Sequence, residues 1–353
     1  MAPLAIIDSH IHLWPESMSN EQGHAWMTPG MPLAEQHVLA DYYKAAQQEA
    51  QPHASDPRVE GVVYVETDVR YDTPNGDLKS WAKGPLDEIR FLRDIVESKY
   101  GERDSKMLIG IVAWAPMDEP TSVLDEWLQL AEETAGPQTW QRIKGFRFLL
   151  QAIHDQEQFQ KLVWSDDFIN NLKLLGKRGF AFDVGVDQTS GGVWQLQAIA
   201  IAMEKAHRDV PEGEKVVFVL NHLCKPKFGS GDADFPAWKA AIKDTAGQSK
   251  TYMKLSGAFS ELPEDVLAKD DVVNAVAEHV KPWVEHVFAV FGPEKVMFGS
   301  DWPVCNVRGP AKESSWVAWK DVVVKLLGNL SPGLADEDKT SIWSGNVRKA
   351  YGL

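Results

Sequence analysis

Eight short apolar runs, nearly continuous in Val, Ile, Phe and Leu, recur along this 353-residue chain. They span residues 5–9, 61–67, 107–114, 143–148, 180–186, 216–221, 251–255 and 296–300. Short runs without polar alternation are the pattern of parallel strands covered on both faces. Between them the apolar residues change to helical spacing. Leu86, Ile89, Leu92 and Val96 form one such set; Leu124, Trp127, Leu128 and Ala131 a second; Phe168, Leu172 and Leu175 a third. Eight strands alternating with helices predict an α/β fold, a (β/α)8 TIM-type barrel, as one domain over 1–353. A doubly wound sheet would use fewer strands and a Gly-rich first turn, which is absent here. The pattern over 271–291 carries Pro282 and predicts a kink or two helices. Residues 314–353 predict two further helices, the second interrupted near Gly345 and Asn346.

One connection is out of scale. Residues 13–60 separate the first two strands and carry Trp14, His24, Trp26, His37 and His53. Unstructured loops of that length are uncommon unless functional. The segment is expected to be an insertion that covers the barrel mouth, with a short helix near 33–51.

Composition narrows the partners. The formal charge of −15, from 36 basic and 51 acidic residues, disfavours nucleic acid and anionic membrane. No apolar run is long enough for a membrane span, and Met1 leads almost directly into the first strand without a signal or transit pattern. Two cysteines, Cys224 and Cys305, cannot make a disulfide framework, so a reducing cytoplasm is expected, with both thiols inert. The 14 tryptophans are mostly core material, with a few expected to flank a sugar-like ligand. A homo-oligomer is left open.

In a parallel barrel the C-terminal strand ends meet at one mouth. Here those ends carry His10 and His12, Glu66 and Asp68, Trp114, Arg147, Asp183, Asn221 and His222, Ser256, and Asp301. His10 and His12, two apart on a strand, share a side and suit one divalent metal. Gly299-Ser300-Asp301 on the last strand adds a carboxylate that would face them. The chain therefore reads as an enzyme, and as a hydrolase.

The segments Ile7-Asp8-Ser9-His10-Ile11-His12, Gly145-Phe146-Arg147, Asn221-His222-Leu223-Cys224-Lys225-Pro226, Lys254-Leu255-Ser256-Gly257 and Gly299-Ser300-Asp301-Trp302-Pro303 resemble the amidohydrolase superfamily, in its amidohydrolase-2 branch. Within it the pattern is most similar to lactonases acting on sugar-acid lactones and on 2-pyrone-4,6-dicarboxylate. The resemblance implies a (β/α)8 hydrolase whose final-strand Asp301 activates water. Binuclear members carry a Lys or Glu on strand four, where this chain ends in Arg147. Decarboxylases and mononuclear deaminases carry a strand-five His, and here that strand presents Asp183. The expected cofactor is thus at most one Zn²⁺ or Mn²⁺, held by His10, His12 and Asp301 with Glu66 filling the gap, and no organic cofactor. Without metal, His10 and His12 would become hydrogen-bond donors.

The expected reaction is hydrolysis of a small-molecule aldonolactone, such as L-rhamnono- or L-fucono-lactone, within L-rhamnose catabolism. Asp301 and His222 are the catalytic candidates; Arg147, Asp183, Trp114 and Trp302 are the substrate-binding ones. Arg147 has a structural alternative, an ion pair with Asp183 or Glu66. Competing readings are a hydrolase or decarboxylase of the same branch acting on a carboxylated ring, and a non-catalytic barrel that binds sugar or metal.

Overall fold

A computed structural model of the protein describes residues 4–48, 57–229 and 233–353. Its eight strands are β1 Ala5–Ile11, β2 Arg58–Val65, β3 Leu108–Trp114, β4 Ile143–Arg147, β5 Ala181–Val184, β6 Val217–Leu220, β7 Thr251–Leu255 and β8 Val296–Phe298. All neighbours pair in parallel, in the order of the sequence. The ring is drawn shut by a parallel bridge between Ile11 and Trp302, with His12 N–H donating to Trp302 O (2.8 Å) and Asp301 N–H to His10 O (2.9 Å). The expected barrel is the one observed. Its strands differ from the expected ones mainly at their ends: β1 runs on to Ile11, and β8 stops at Phe298.

Alternation along the strands makes two cores. Side chains on the inner face, Ile7, Val63, Val65, Val112, Ala181, Val219 and Met297, fill the barrel. Val347, Ala350 and Tyr351 of the last helix, Asn346–Tyr351, close its floor. Side chains on the outer face meet the helices, whose apolar stripes include Leu86, Ile89 and Leu92 on Lys83–Val96, and Phe168, Leu172 and Leu175 on Asp166–Lys177. The latter helix starts where Ser165 accepts from Phe168 N–H (3.2 Å), a side-chain cap worth about 1 kcal/mol.

Helix Val272–Phe291 runs as one element containing Pro282. The tail forms Ser315–Gly328, then Asp336–Thr340, a π-turn over Ser341–Gly345, and Asn346–Tyr351. Between β1 and β2 the observed helix is Leu39–Ala45, shorter than expected; His53 and the end of the expected helix lie outside the described residues. The described part of the segment is tied to the residues that follow β2 and β8. Trp14 and His37 bridge antiparallel, His24 Nε2 meets Thr67 Oγ1 (2.8 Å), and His37 packs on Trp302.

Candidate active site

The seam between β1 and β8 sets the centre. Asp301 follows β8 at a left-handed backbone position (φ 63°), and its Oδ1 lies 3.6 Å from His10 Nε2, 3.4 Å from His12 Nε2 and 3.6 Å from His222 Nε2. One carboxylate oxygen thus faces three imidazoles, all four groups buried. His222 opens a turn in which His222, Leu223, Cys224 and Lys225 all take positive φ, at 54°, 54°, 59° and 40°. Such conformations cost about 1–3 kcal/mol each and persist only where the surroundings enforce them. Ser256 Oγ, 2.8 Å from His222 Nδ1, holds the ring from behind. Gly257 (φ 62°) passes so close that a Cβ there would stand 2.5 Å from His222 Nδ1 and 3.0 Å from Asp301 Oδ2.

Burial alone would raise the Asp301 carboxyl. The His222 and His12 imidazoles and the Lys225 ammonium outweigh burial and hold it at about 2. Burial dominates at His222, pulling it down to about 3 even though Asp301 acts the other way. His10 is pushed well below its ordinary value by burial and by Lys254. At neutral pH the centre therefore pairs an ionised carboxylate with neutral His10 and His222.

The remaining expected site residues fall into two groups. His10, His12, His222 and Asp301 come together. Among the described residues His10, His222 and Asp301 have donor atoms within 4.8 Å of one another, a set able to hold a metal ion. Glu66 is engaged elsewhere: Arg147 Nε donates to its Oε1 (2.5 Å), Arg147 Nη2 to its backbone O (2.6 Å), and Asp68 N–H to its Oε2 (2.6 Å). The ion pair weighed as the alternative for Arg147 is thus formed. Asp183 is fully buried and binds Lys254 Nζ through Oδ2 (2.7 Å) and Tyr351 OH through Oδ1 (2.7 Å), so both its oxygens are engaged inside the protein. Trp114 packs among Tyr71, Trp81 and Trp127 and is 2% exposed. Trp302, equally buried, lies against His37 and Tyr42. Cys224 and Cys305 are free and buried, and burial pushes both thiols up.

Three residues near this centre were not among the expected site residues: Lys225 and Lys254, which stand in the segments that carry the resemblance, and Tyr351. Lys254 left a signal, a lone charge inside an otherwise buried strand and on the same face as Ser256. Tyr351 left none, because it reaches Asp183 across 168 positions of sequence.

The amidohydrolase family profile matches residues 7–353. An L-rhamnono-gamma-lactonase of Scheffersomyces stipitis is 29% identical over 367 aligned positions, covering 100% of both chains. An L-fucono-1,5-lactonase of Burkholderia multivorans is 25% identical, over 98% of this chain and 96% of its own. A Burkholderia multivorans amidohydrolase crystallised with bound zinc shares the fold, with a TM-score of 0.70 at 22% identity over 99% of each chain.

Proposed function

The chain belongs to the amidohydrolase family, and from that premise we propose that it hydrolyses a sugar-acid lactone to the aldonic acid. The observation that carries this reading is the Asp301 carboxylate, ionised and buried against three imidazoles at the mouth of the barrel. The names of the two full-length relatives support it.

Opening a lactone requires a deprotonated water, a stabilised oxyanion and a proton for the leaving alkoxide. Asp301 is the acid–base group. It takes the proton from water as the carbonyl carbon is attacked, and returns it to the ring oxygen as the ring opens. A carboxyl held near 2 is a weak base, so the proton is passed on rather than stored. The surrounding imidazoles polarise the carbonyl. His222, neutral and anchored by Ser256, is the second catalytic group.

The donor set of His10, His222 and Asp301 fits one divalent cation, Zn²⁺ or Mn²⁺. When bound, it would lower the pKa of water and polarise the carbonyl. Glu66, committed to Arg147, is a poor fourth ligand.

A neutral polyol lactone suits the mouth better than a dicarboxylate. Arg147 is spent on Glu66, and Arg308 on the carbonyls of Ser260 and Leu262. Trp302 packs on His37 of the segment between β1 and β2, and the reaction belongs to L-rhamnose catabolism in the cytoplasm. Among the described residues no helix is long and apolar enough to cross a membrane. The test is acid release, followed with a pH indicator, from L-rhamnono-γ-lactone, L-fucono-1,5-lactone and 2-pyrone-4,6-dicarboxylate. Turnover of a neutral aldonolactone is expected; no turnover of any lactone would overturn the reading.

A further inference from the structure

Hydrolysis turns a neutral ester into an anion. The carbonyl oxygen gains negative charge as the water oxygen bonds to the carbon, and gives it up as the ring C–O bond breaks. The carboxylic acid then ionises to the aldonate, releasing a proton. This negative charge arises beside the Asp301 carboxylate, in a chain of formal charge −15. Such a step calls for a cation with unengaged donors.

Besides burial and Asp301, three cations act on the His222 ring: Lys225, Lys254 and Arg147. Lys254 Nζ donates to Asp183 Oδ2 (2.7 Å), and Arg147 donates to Glu66 through Nε and Nη2. Lys225 differs. Its side chain is 12% exposed, and its one ionic partner among the described residues is Glu261 Oε1 at 3.7 Å, beyond hydrogen-bond length. Glu261 meanwhile accepts from Ser260 Oγ through Oε1 (2.9 Å) and from Thr189 Oγ1 through Oε2 (3.2 Å). An ammonium carries three N–H donors and no acceptor, and none of those of Lys225 is engaged in a hydrogen bond among the described residues.

The backbone fixes where this ammonium stands. Lys225 takes φ 40° at the end of the left-handed turn that begins at His222. Its N–H donates to His222 O (2.8 Å), and its O accepts from Gln188 N–H (3.1 Å) in the loop after β5. Glu261 belongs to the loop after β7, where Arg308, from beyond β8, holds the carbonyls of Ser260 (3.1 Å) and Leu262 (2.9 Å). Loops after β5, β6, β7 and β8 thus hold one cation near the centre. Strain enforced in this way gathers at functional sites.

We propose that Lys225 is a further catalytic residue: its ammonium donates to the carbonyl oxygen of the lactone as that oxygen becomes negative, and then to the carboxylate of the aldonate product. This rests on the proposed hydrolysis. The neutral lactone gains little from the cation before attack, so Lys225 acts on the chemical step and on product affinity more than on substrate binding.

In Lys225→Met, kcat for L-rhamnono-γ-lactone should fall about 10²-fold, the usual loss for one oxyanion donor, with KM within about three-fold of the wild type. Inhibition by sodium L-rhamnonate should weaken about 10-fold in the same variant, since a charge-assisted contact is lost. In the wild type that inhibition should weaken with salt, whereas the neutral alditol L-rhamnitol should inhibit poorly at any salt. A Lys225 that only braces Glu261 would, on substitution, lower the melting temperature and leave kcat and the L-rhamnonate constant unmoved, and that result would overturn the proposal. Should Lys225→Met not fold, Glu261→Gln decides. It removes the competing carboxylate, so L-rhamnonate should bind several-fold more tightly; an unmoved or weaker constant counts against Lys225. A wild type that turns over no lactone would overturn the hydrolysis and this proposal with it. Turnover in the wild type that Lys225→Met retains in full would sink this proposal alone.

Discussion

Asp301 sits where no neighbouring residue type could replace it without loss. Asparagine keeps its shape and tolerates the left-handed backbone (φ 63°), but it cannot carry a proton. Asp301→Asn is therefore expected to stay folded, with circular dichroism like the wild type, while kcat drops by roughly 10²–10⁴. Turnover near normal would hand the acid–base role to His222. Gly257 makes a second prediction at this scale. A methyl group there meets His222 Nδ1 at 2.5 Å and must also adopt φ 62°. Gly257→Ala is expected to lower kcat by about 10-fold or more, since small displacements of catalytic groups are costly, and to lower the melting temperature. Unchanged kcat would mean that the His222 ring can give way without consequence.

Helix Lys83–Val96 is tied to β2 by one side chain. Glu88 is buried on that helix, and its Oε1 accepts from Tyr64 OH (2.7 Å), Thr67 N–H (3.0 Å) and Thr67 Oγ1 (2.9 Å). Its Oε2 has no partner among the described residues. Burial, aided by the charge of Glu66, raises the carboxyl to about 7. A folded-state value above the unfolded one means stability is fully present below the unfolded pKa, about 4.3, and is lost as pH rises through about 7. Glu88→Gln keeps the acceptor and removes the titration. It is expected to melt a few degrees above the wild type at pH 8 and close to it at pH 5; equal melting temperatures at both pH values would refute the assignment. Elements differ in how far the sequence exposed them. The strands were legible because an apolar run covered on both faces has one good explanation, and the strand-end residues followed because a barrel gathers such ends at one mouth. Their partners were not legible. Whether Arg147 meets substrate or Glu66 depends on reach across β3, and whether Asp183 is free depends on a tyrosine from the last helix. The bridge between Trp14 and His37 is likewise a tertiary choice that no local periodicity records.

At the scale of the whole molecule, a formal charge of −15 would repel an anionic substrate and leave a neutral lactone indifferent. kcat/KM for the aldonolactone is expected to change less than about two-fold between low and high salt, whereas a strong rise with salt would indicate a carboxylated substrate. The same molecule should retain no more than one equivalent of Zn²⁺ or Mn²⁺ after chelation, reloading and elemental analysis. The Arg147 guanidinium occupies the carboxylate that a second ion would need, and two equivalents would reveal another donor set. The seam between β1 and β8 also has a temporal side. Asp8 on β1 accepts from Ser300 N–H, a bond that spans 292 positions of sequence. At a synthesis rate of roughly 5–20 residues per second, the first strand waits some tens of seconds for its second neighbour. Until then the nascent chain is an open, curling sheet with an unpaired edge, the form most prone to pair with another chain. His10, His12, His222 and Asp301 meet only when that edge is sealed, so the centre is assembled at the same late moment at which the aggregation hazard ends.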